Sequence, residues 1–245
     1  MKYNSKLISA AAILSATFLF NATANASMLV YSNDFDGNVF GSAAINGVEQ
    51  YVNSGGFAGV PGSTVSGQVL RNNSGKLPGK NKAANTEFVI GQSFEHGARI
   101  EFDLLVIDSW DGNNTSAGFD PDFFNIQVNS GTKEFKETIS VFDDNDGTII
   151  NNPSATLISS GSNLYGLGFY DSLYRISLDV DGSLTDPTKI KRFASGAGWQ
   201  GGWDESWAID NFKVSAVPEP STYAMFGTAF LILGIAGYRS RNRKS

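Results

Sequence analysis

Asp210 stands in the stretch AIDNFKV, and in a regular strand its carboxylate would share a face with Ala208, Phe212 and Val214. A carboxylate on an apolar face is costly unless it is paired, protonated or metal-bound. A bulge turning it outward, or a buried hydrogen bond, would relieve the same cost. A second acidic group, Asp108, Asp111, Asp120 and Asp122, lies in DSWDGNNTSAGFDPD. It reads either as a polar hairpin loop with Asp-Gly at its turn or as a calcium loop. Calcium takes roughly six to eight oxygens from carboxylates, amides and carbonyls, and such loops supply them. FDDNDGT at 142–148 looks like an EF-hand, but with Gly147 at loop position six Phe142 falls at position one, where Asp belongs. That motif fails.

Four tryptophans, Trp110, Trp199, Trp203 and Trp207, offer flat faces on which sugar rings stack. Trp207 reads as packing within a strand. Trp199 and Trp203, in the Gly-rich GAGWQGGWDES, are the candidates for carbohydrate contact, against the alternative that large aromatics are buried in a β domain. Catalytic chemistry has less to work with. The single histidine, His96, has no Ser-His-Asp order or zinc signature around it and reads as a solvated loop residue. The chain has no cysteine, which excludes thiolate metal sites, cysteine nucleophiles and disulfides. Carboxylates are plentiful, yet nothing marks two of them as an acid/base pair for glycoside hydrolysis. Residues 27–217 hold 12 Lys and Arg against 23 Asp and Glu, a net charge of −11. So acidic a body repels phosphate backbones, excluding nucleic acid as a partner, and suits divalent cations and neutral or polymeric sugars.

The elements that must position these residues read as strands. In ARIEFDLLVID, Ala98, Ile100, Phe102, Leu104 and Val106 fall on one face and Arg99, Glu101 and Asp103 on the other. LYRISLDV repeats this with Tyr174, Ile176, Leu178 and Val180 against Arg175, Ser177 and Asp179. DFFNIQVN offers Phe124, Ile126 and Val128, while MLVYSNDFD, TEFVI, KEFKETISVF and SWAIDNFKV bring the set to seven or more. No long helical periodicity appears between residues 27 and 216. The expected fold is therefore an all-β, antiparallel β-sandwich of jelly-roll type rather than a barrel. Long irregular loops are expected at 53–86, 108–121 and 181–205.

Both ends stand apart from this domain, which spans 27–216. Lys2 and Lys6 precede an apolar run from Leu7 to Phe20, followed by Ala24-Asn25-Ala26. That is the pattern of a signal peptide over 1–26 cleaved after Ala26. Near the other end, Pro218-Glu219-Pro220 cannot join a regular helix or strand and holds the backbone extended. Tyr223 to Tyr238 follows, 16 residues without a charge. As a helix this run spans about 24 Å, short of the ~30 Å hydrocarbon core until Ser221 and Thr222 are added. Arg239, Arg241, Arg243 and Lys244 then form a basic tail over 239–245 that should stay on the cytoplasmic side. A single transmembrane helix at about 222–238 is expected.

VPEPST, then YAMFGTAFLILGIAGY, then RSRNRK resembles the PEP-CTERM sorting signal of bacterial exported proteins, with Val217, Pro218, Glu219, Pro220 and Ser221 carrying the match. Ser240 and Asn242 interrupt the basic cluster, a mild departure. The resemblance covers 29 of 245 residues and speaks for sorting alone. It implies recognition by exosortase, an integral-membrane cysteine transpeptidase-like enzyme. A Gram-negative envelope and an exopolysaccharide matrix are implied with it. AIDNFKV is similar to the final strand of concanavalin-like and carbohydrate-binding jelly rolls. There an acidic residue of the last strand joins others near the first around calcium, which implies a structural Ca2+ held by Asp210 with Asp34 and Asp36. The expected protein is exported through the Sec pathway, held briefly in the inner membrane, and released to the cell surface or matrix as a non-catalytic module. A carbohydrate-binding module for exopolysaccharide is the alternative, with a polysaccharide-acting enzyme behind it.

Overall fold

The computed structural model describes residues 27–37, 44–46, 49–72, 86–111, 120–140, 153–164, 170–201 and 205–217. Within them lie twelve strands: β1 (Met28–Asn33), β2 (Ala44–Asn46), β3 (Glu49–Asn53), β4 (Gln68–Asn72), β5 (Thr86–Ile90), β6 (Gly97–Asp108), β7 (Asp122–Ser130), β8 (Lys133–Ser140), β9 (Ala155–Ser162), β10 (Tyr170–Asp181), β11 (Thr188–Gly196) and β12 (Glu205–Ala216). One 3-10 turn, Gly55–Gly59, precedes β4. The strands form two sheets. The larger runs β3-β4-β12-β6-β10-β9, with β1 also paired to β12, and the smaller runs β2-β5-β11-β7-β8. Neighbours such as β6 and β10, β7 and β11, and β6 and β12 are antiparallel. Residues Leu29–Ala216 make one compact unit.

The pleat explains why these segments became strands and why the sheets meet. Ala98, Ile100, Phe102, Leu104 and Val106 of β6 lie in one buried core with Tyr174, Ile176, Leu178 and Val180 of β10. Phe124, Ile126 and Val128 of β7, and Phe88 and Ile90 of β5, enter the same core from the other sheet. Rings bridge the two layers: Phe88 lies 4.4 Å from Phe212 and Phe124 lies 5.2 Å from Trp207, centroid to centroid. An antiparallel β-sandwich results, as the alternation requires. Each fully buried large side chain contributes roughly 1.5–3 kcal/mol of burial free energy before cavity effects.

The larger sheet also buries part of its outer face. Leu105, Ile107, Leu173, Ala208 and Val69 form a second cluster there with Phe57 of the 3-10 turn and Val65. This accounts for the unbroken run Leu104–Ile107, which is buried on both sides of its strand.

Two of the expected loops contain regular structure. The 53–86 stretch holds the 3-10 turn and β4, and the 181–205 stretch holds β11. In β11 the inward row is Ile190, Arg192, Ala194, and the buried arginine hides the alternation. The guanidinium of Arg192 lies 3.9 Å from the Phe88 ring centroid and donates to Thr86 Oγ1 at 3.2 Å. A cation over an aromatic face is attracted to the ring quadrupole, so the position is an apolar one with a polar tip. Among the described residues no helix is long and apolar enough to cross a membrane. The expected signal peptide over 1–26 and the expected transmembrane helix over 222–238 lie outside the described residues.

Candidate metal centre

The alternation of β12 breaks at Asp210. Its pairing with β6 is continuous from Glu205↔Asp108 to Asp210↔Asp103 and then slips before Lys213↔Glu101. Asn211 takes φ +53, the left-handed conformation that asparagine tolerates better than most residues. The bulge sends Phe212 and Val214 to the sandwich interior with Trp207 and Ile209, and leaves Asp210 on the outer face with Ala208. The expectation that Asp210 shares a face with Phe212 and Val214 is thereby corrected. The extra residue reverses the period beyond it.

Asp210 is nevertheless fully buried, beneath the 61–67 segment. Its Oδ1 accepts from the Asn211 backbone at 2.7 Å and its Oδ2 from the Ser66 backbone at 3.1 Å. Burial, with smaller additions from the charges of Asp103 and Asp36, pushes its carboxyl up to about 7, against the two backbone hydrogen bonds. Next to it Asp103 accepts from Arg175 Nε at 3.2 Å, Asn211 Nδ2 at 2.9 Å and Thr64 Oγ1 at 2.5 Å.

Asp34 and Asp36 are both exposed. Asp34 Oδ1 accepts from the Asp36 backbone at 3.3 Å in a local turn, and Asp36 Oδ1 accepts from Gln68 N at 2.7 Å. The approach requires Gly67, since a Cβ there would stand 1.9 Å from Asp36 Oδ1 and its φ is +50. Asp210 thus pins the 61–67 segment through the Ser66 amide, and Asp36 pins the start of β4 through the Gln68 amide. Asp34, Asp36 and Asp210 are not the acidic set that converges.

Convergence occurs at one end of the sandwich. Among the described residues, Asp111, Asp122 and Glu205 bring carboxylate oxygens that all lie within 4.8 Å of one another. Asp122 opens β7, Glu205 opens β12, and Asp111 follows the end of β6, so both sheets contribute. Asp111 and Asp122 are locked reciprocally. Asp122 N donates to Asp111 O at 2.9 Å, and Asp111 N donates to Asp122 Oδ2 at 3.0 Å. Trp110 anchors this corner by donating from Nε1 to Ser206 O at 2.8 Å. Glu205 Oε2 accepts from the backbone of Gln200 and, at 3.3 Å, of Gly201.

Asp122 and Glu205 are fully buried, and Asp111 is half-buried. Burial first, then the charge of Glu205, pushes the Asp122 carboxyl up to about 8, with the Asp111 backbone hydrogen bond opposing and its charge adding. Asp122 Oδ1 is buried without a hydrogen-bond donor. The chain opposite is stripped of side chain, for a Cβ on Gly196 would lie 2.4 Å from that oxygen and 2.7 Å from Pro121 O. Three carboxylates so placed cannot all stay ionised unaided. They must share protons or hold a cation.

Two members of this set, Asp111 and Asp122, come from the acidic group visible in the sequence. Of the others there, Asp120 is exposed, and Asp108 is buried at φ +71 with its N–H donating to Asp171 Oδ1 at 2.8 Å. Glu205 is not among the residues expected from the sequence, although the alternation Glu205, Trp207, Ile209 puts a carboxylate on the core-facing row, as Asp122, Phe124, Ile126 does on β7.

Trp199 is fully buried, its ring edge-on to Trp110 with centroids 4.9 Å apart. A ring with no accessible face cannot stack a sugar, so Trp199 is corrected from platform to packing residue. Trp207 is buried, as expected of it, and His96 is half-buried just before β6. Val217, half-buried, follows β12 directly. Trp203 lies outside the described residues, as do Ala24, Ala26, Pro218, Glu219, Pro220, Ser221, Arg239, Arg241, Arg243 and Lys244.

No protein-family model matches the chain, and no curated protein matches it. Among solved structures it is similar to the carbohydrate-binding module CBM27-1 of Caldicellulosiruptor saccharolyticus in complex with mannohexaose. The TM-score is 0.42 at 13% identity, covering 75% of this chain and 96% of that one. It is also similar to an exo-β-1,3-galactanase from Phanerochaete chrysosporium with galactose, at TM-score 0.31 and 13% identity, covering 77% of this chain but 29% of that one. Likeness at these scores establishes neither a shared fold nor a shared ligand.

Proposed function

We propose that the chain is an exported, non-catalytic β-sandwich of the cell surface or extracellular matrix, jelly-roll-like in topology and sorted by a PEP-CTERM signal at 217–245. The observation that carries this reading is the order of three chemistries at the end of the chain: Val-Pro-Glu-Pro-Ser, an uncharged apolar run, and a basic tip. β12 runs to Ala216, one residue before the motif, so the last strand of the sandwich leads straight into it. An extended Pro-Glu-Pro beside a marginal membrane helix is a peptide that a membrane-embedded processing enzyme can grip. Exosortase is the partner this implies, the inner membrane a transient anchor, and exopolysaccharide the surrounding polymer.

The non-catalytic reading rests on the sequence, where nothing marks two carboxylates as an acid/base pair. Exopolysaccharide binding remains the second reading. With Trp199 buried it has to rest on other residues, and a glycan array probed with the released protein tests it. For the sorting reading, Glu219→Ala in the producing cell is expected to leave a larger, unprocessed form in the inner-membrane fraction on immunoblots. Wild-type processing of that variant would refute it.

A further inference from the structure

Asp111, Asp122 and Glu205 form a donor set made entirely of oxygen, with Asp122 and Glu205 fully buried. We infer that this corner of the sandwich is a calcium site, with Asp122 Oδ1 as its central ligand atom. This goes beyond the sorting reading and does not depend on it.

First, the three carboxylates arrive from separate segments that backbone hydrogen bonds hold at this corner. The reciprocal backbone bonds between Asp111 and Asp122 orient one pair, and the Gln200 and Gly201 amides hold Glu205 Oε2. Second, Asp122 Oδ1 is a fully buried acceptor with no donor, facing the bare backbone at Gly196. A buried lone pair of this kind is unfavourable unless something electropositive meets it.

The chemistry selects the ion. Zinc favours nitrogen and sulfur ligands, and neither a cysteine nor the lone histidine joins the group. Magnesium dehydrates reluctantly and keeps several waters, which the buried Asp122 and Glu205 disfavour. Calcium accepts irregular carboxylate and carbonyl cages. The backbone oxygens of Asp120 and Pro121 lie along the same glycine-lined wall, 3.0 Å and 2.7 Å from the Cβ positions that Gly198 and Gly196 leave vacant. The ion would tie the end of β6 to the starts of β7 and β12, coupling the two sheets at this end.

The test uses the full chain in mild detergent, stripped with EDTA and returned to buffer with CaCl2 or MgCl2. Calcium about a hundredfold above its Kd should raise Tm by about 5–10 °C, with binding heat seen by calorimetry. Asp122→Asn should fold, because it removes a repulsive buried charge, and should lose the calcium shift. Asp111→Asn, at a half-exposed position, serves the same purpose should Asp122→Asn not fold. Asp34→Asn should keep the full shift. No Tm change and no heat in the wild type would overturn the site. So would a shift that survives both ligand variants, which would place calcium elsewhere. A response to magnesium alone would overturn the choice of ion.

Discussion

Asp210→Asn gives the sharpest test of the electrostatics. The Asp210 carboxyl rises from 3.8 to about 7 on folding, through burial first and then the nearby charges of Asp103 and Asp36. Between those values the native state keeps a proton that the unfolded chain has released. Stability from this group is therefore complete below the unfolded value and is lost as pH rises through the folded one. Above that window the native state carries a buried charge costing about 4 kcal/mol relative to the neutral group. Asparagine removes the charge but places an NH2 where one oxygen accepts from Ser66 or Asn211. Losing that acceptor costs about 1–3 kcal/mol at every pH. The two terms have opposite signs, and only one depends on pH. The variant should be less stable than wild type near pH 3 by about 1–3 kcal/mol and more stable near pH 9 by a similar amount. Urea denaturation of the full chain at both values reads the crossing directly. Titration of the acidic corner around Asp122 is common to both proteins and cancels. A difference that stays constant with pH would refute the picture, because it would mean that Asp210 does not titrate within this window.

The bulge carries its own prediction. Asn211 holds φ +53 while its Nδ2 donates to Thr64 O and Asp103 Oδ2, each at 2.9 Å. Asn211→Gly loses the side-chain bonds alone, whereas Asn211→Ala also takes on the left-handed backbone, so alanine should be the worse by about 1 kcal/mol in urea titrations. Equal losses would mean that the bulge relaxes. Trp207→Ala should cost about 3–5 kcal/mol by the same measurement, since the ring is fully buried and edge-on to Phe124. A loss under 1 kcal/mol would show that the core collapses around the vacancy.

Much was legible in the order of residues because the pleat is a local property. The rows Ala98 to Val106 and Tyr174 to Val180 alternate in the chain and face the core together. What the chain order could not decide was register and burial, which depend on distant partners. Whether Asp210 faces in or out turns on one extra residue in β12, accommodated where the 61–67 segment presents the Ser66 amide. β11 was hidden because an interior arginine, Arg192, is tolerated only against the rings that tertiary packing supplies. Trp199 could be assigned to packing only once Trp110 stood beside it. Asp111, Asp122 and Glu205 meet because two sheets end at the same corner, and that meeting is a fact of three dimensions.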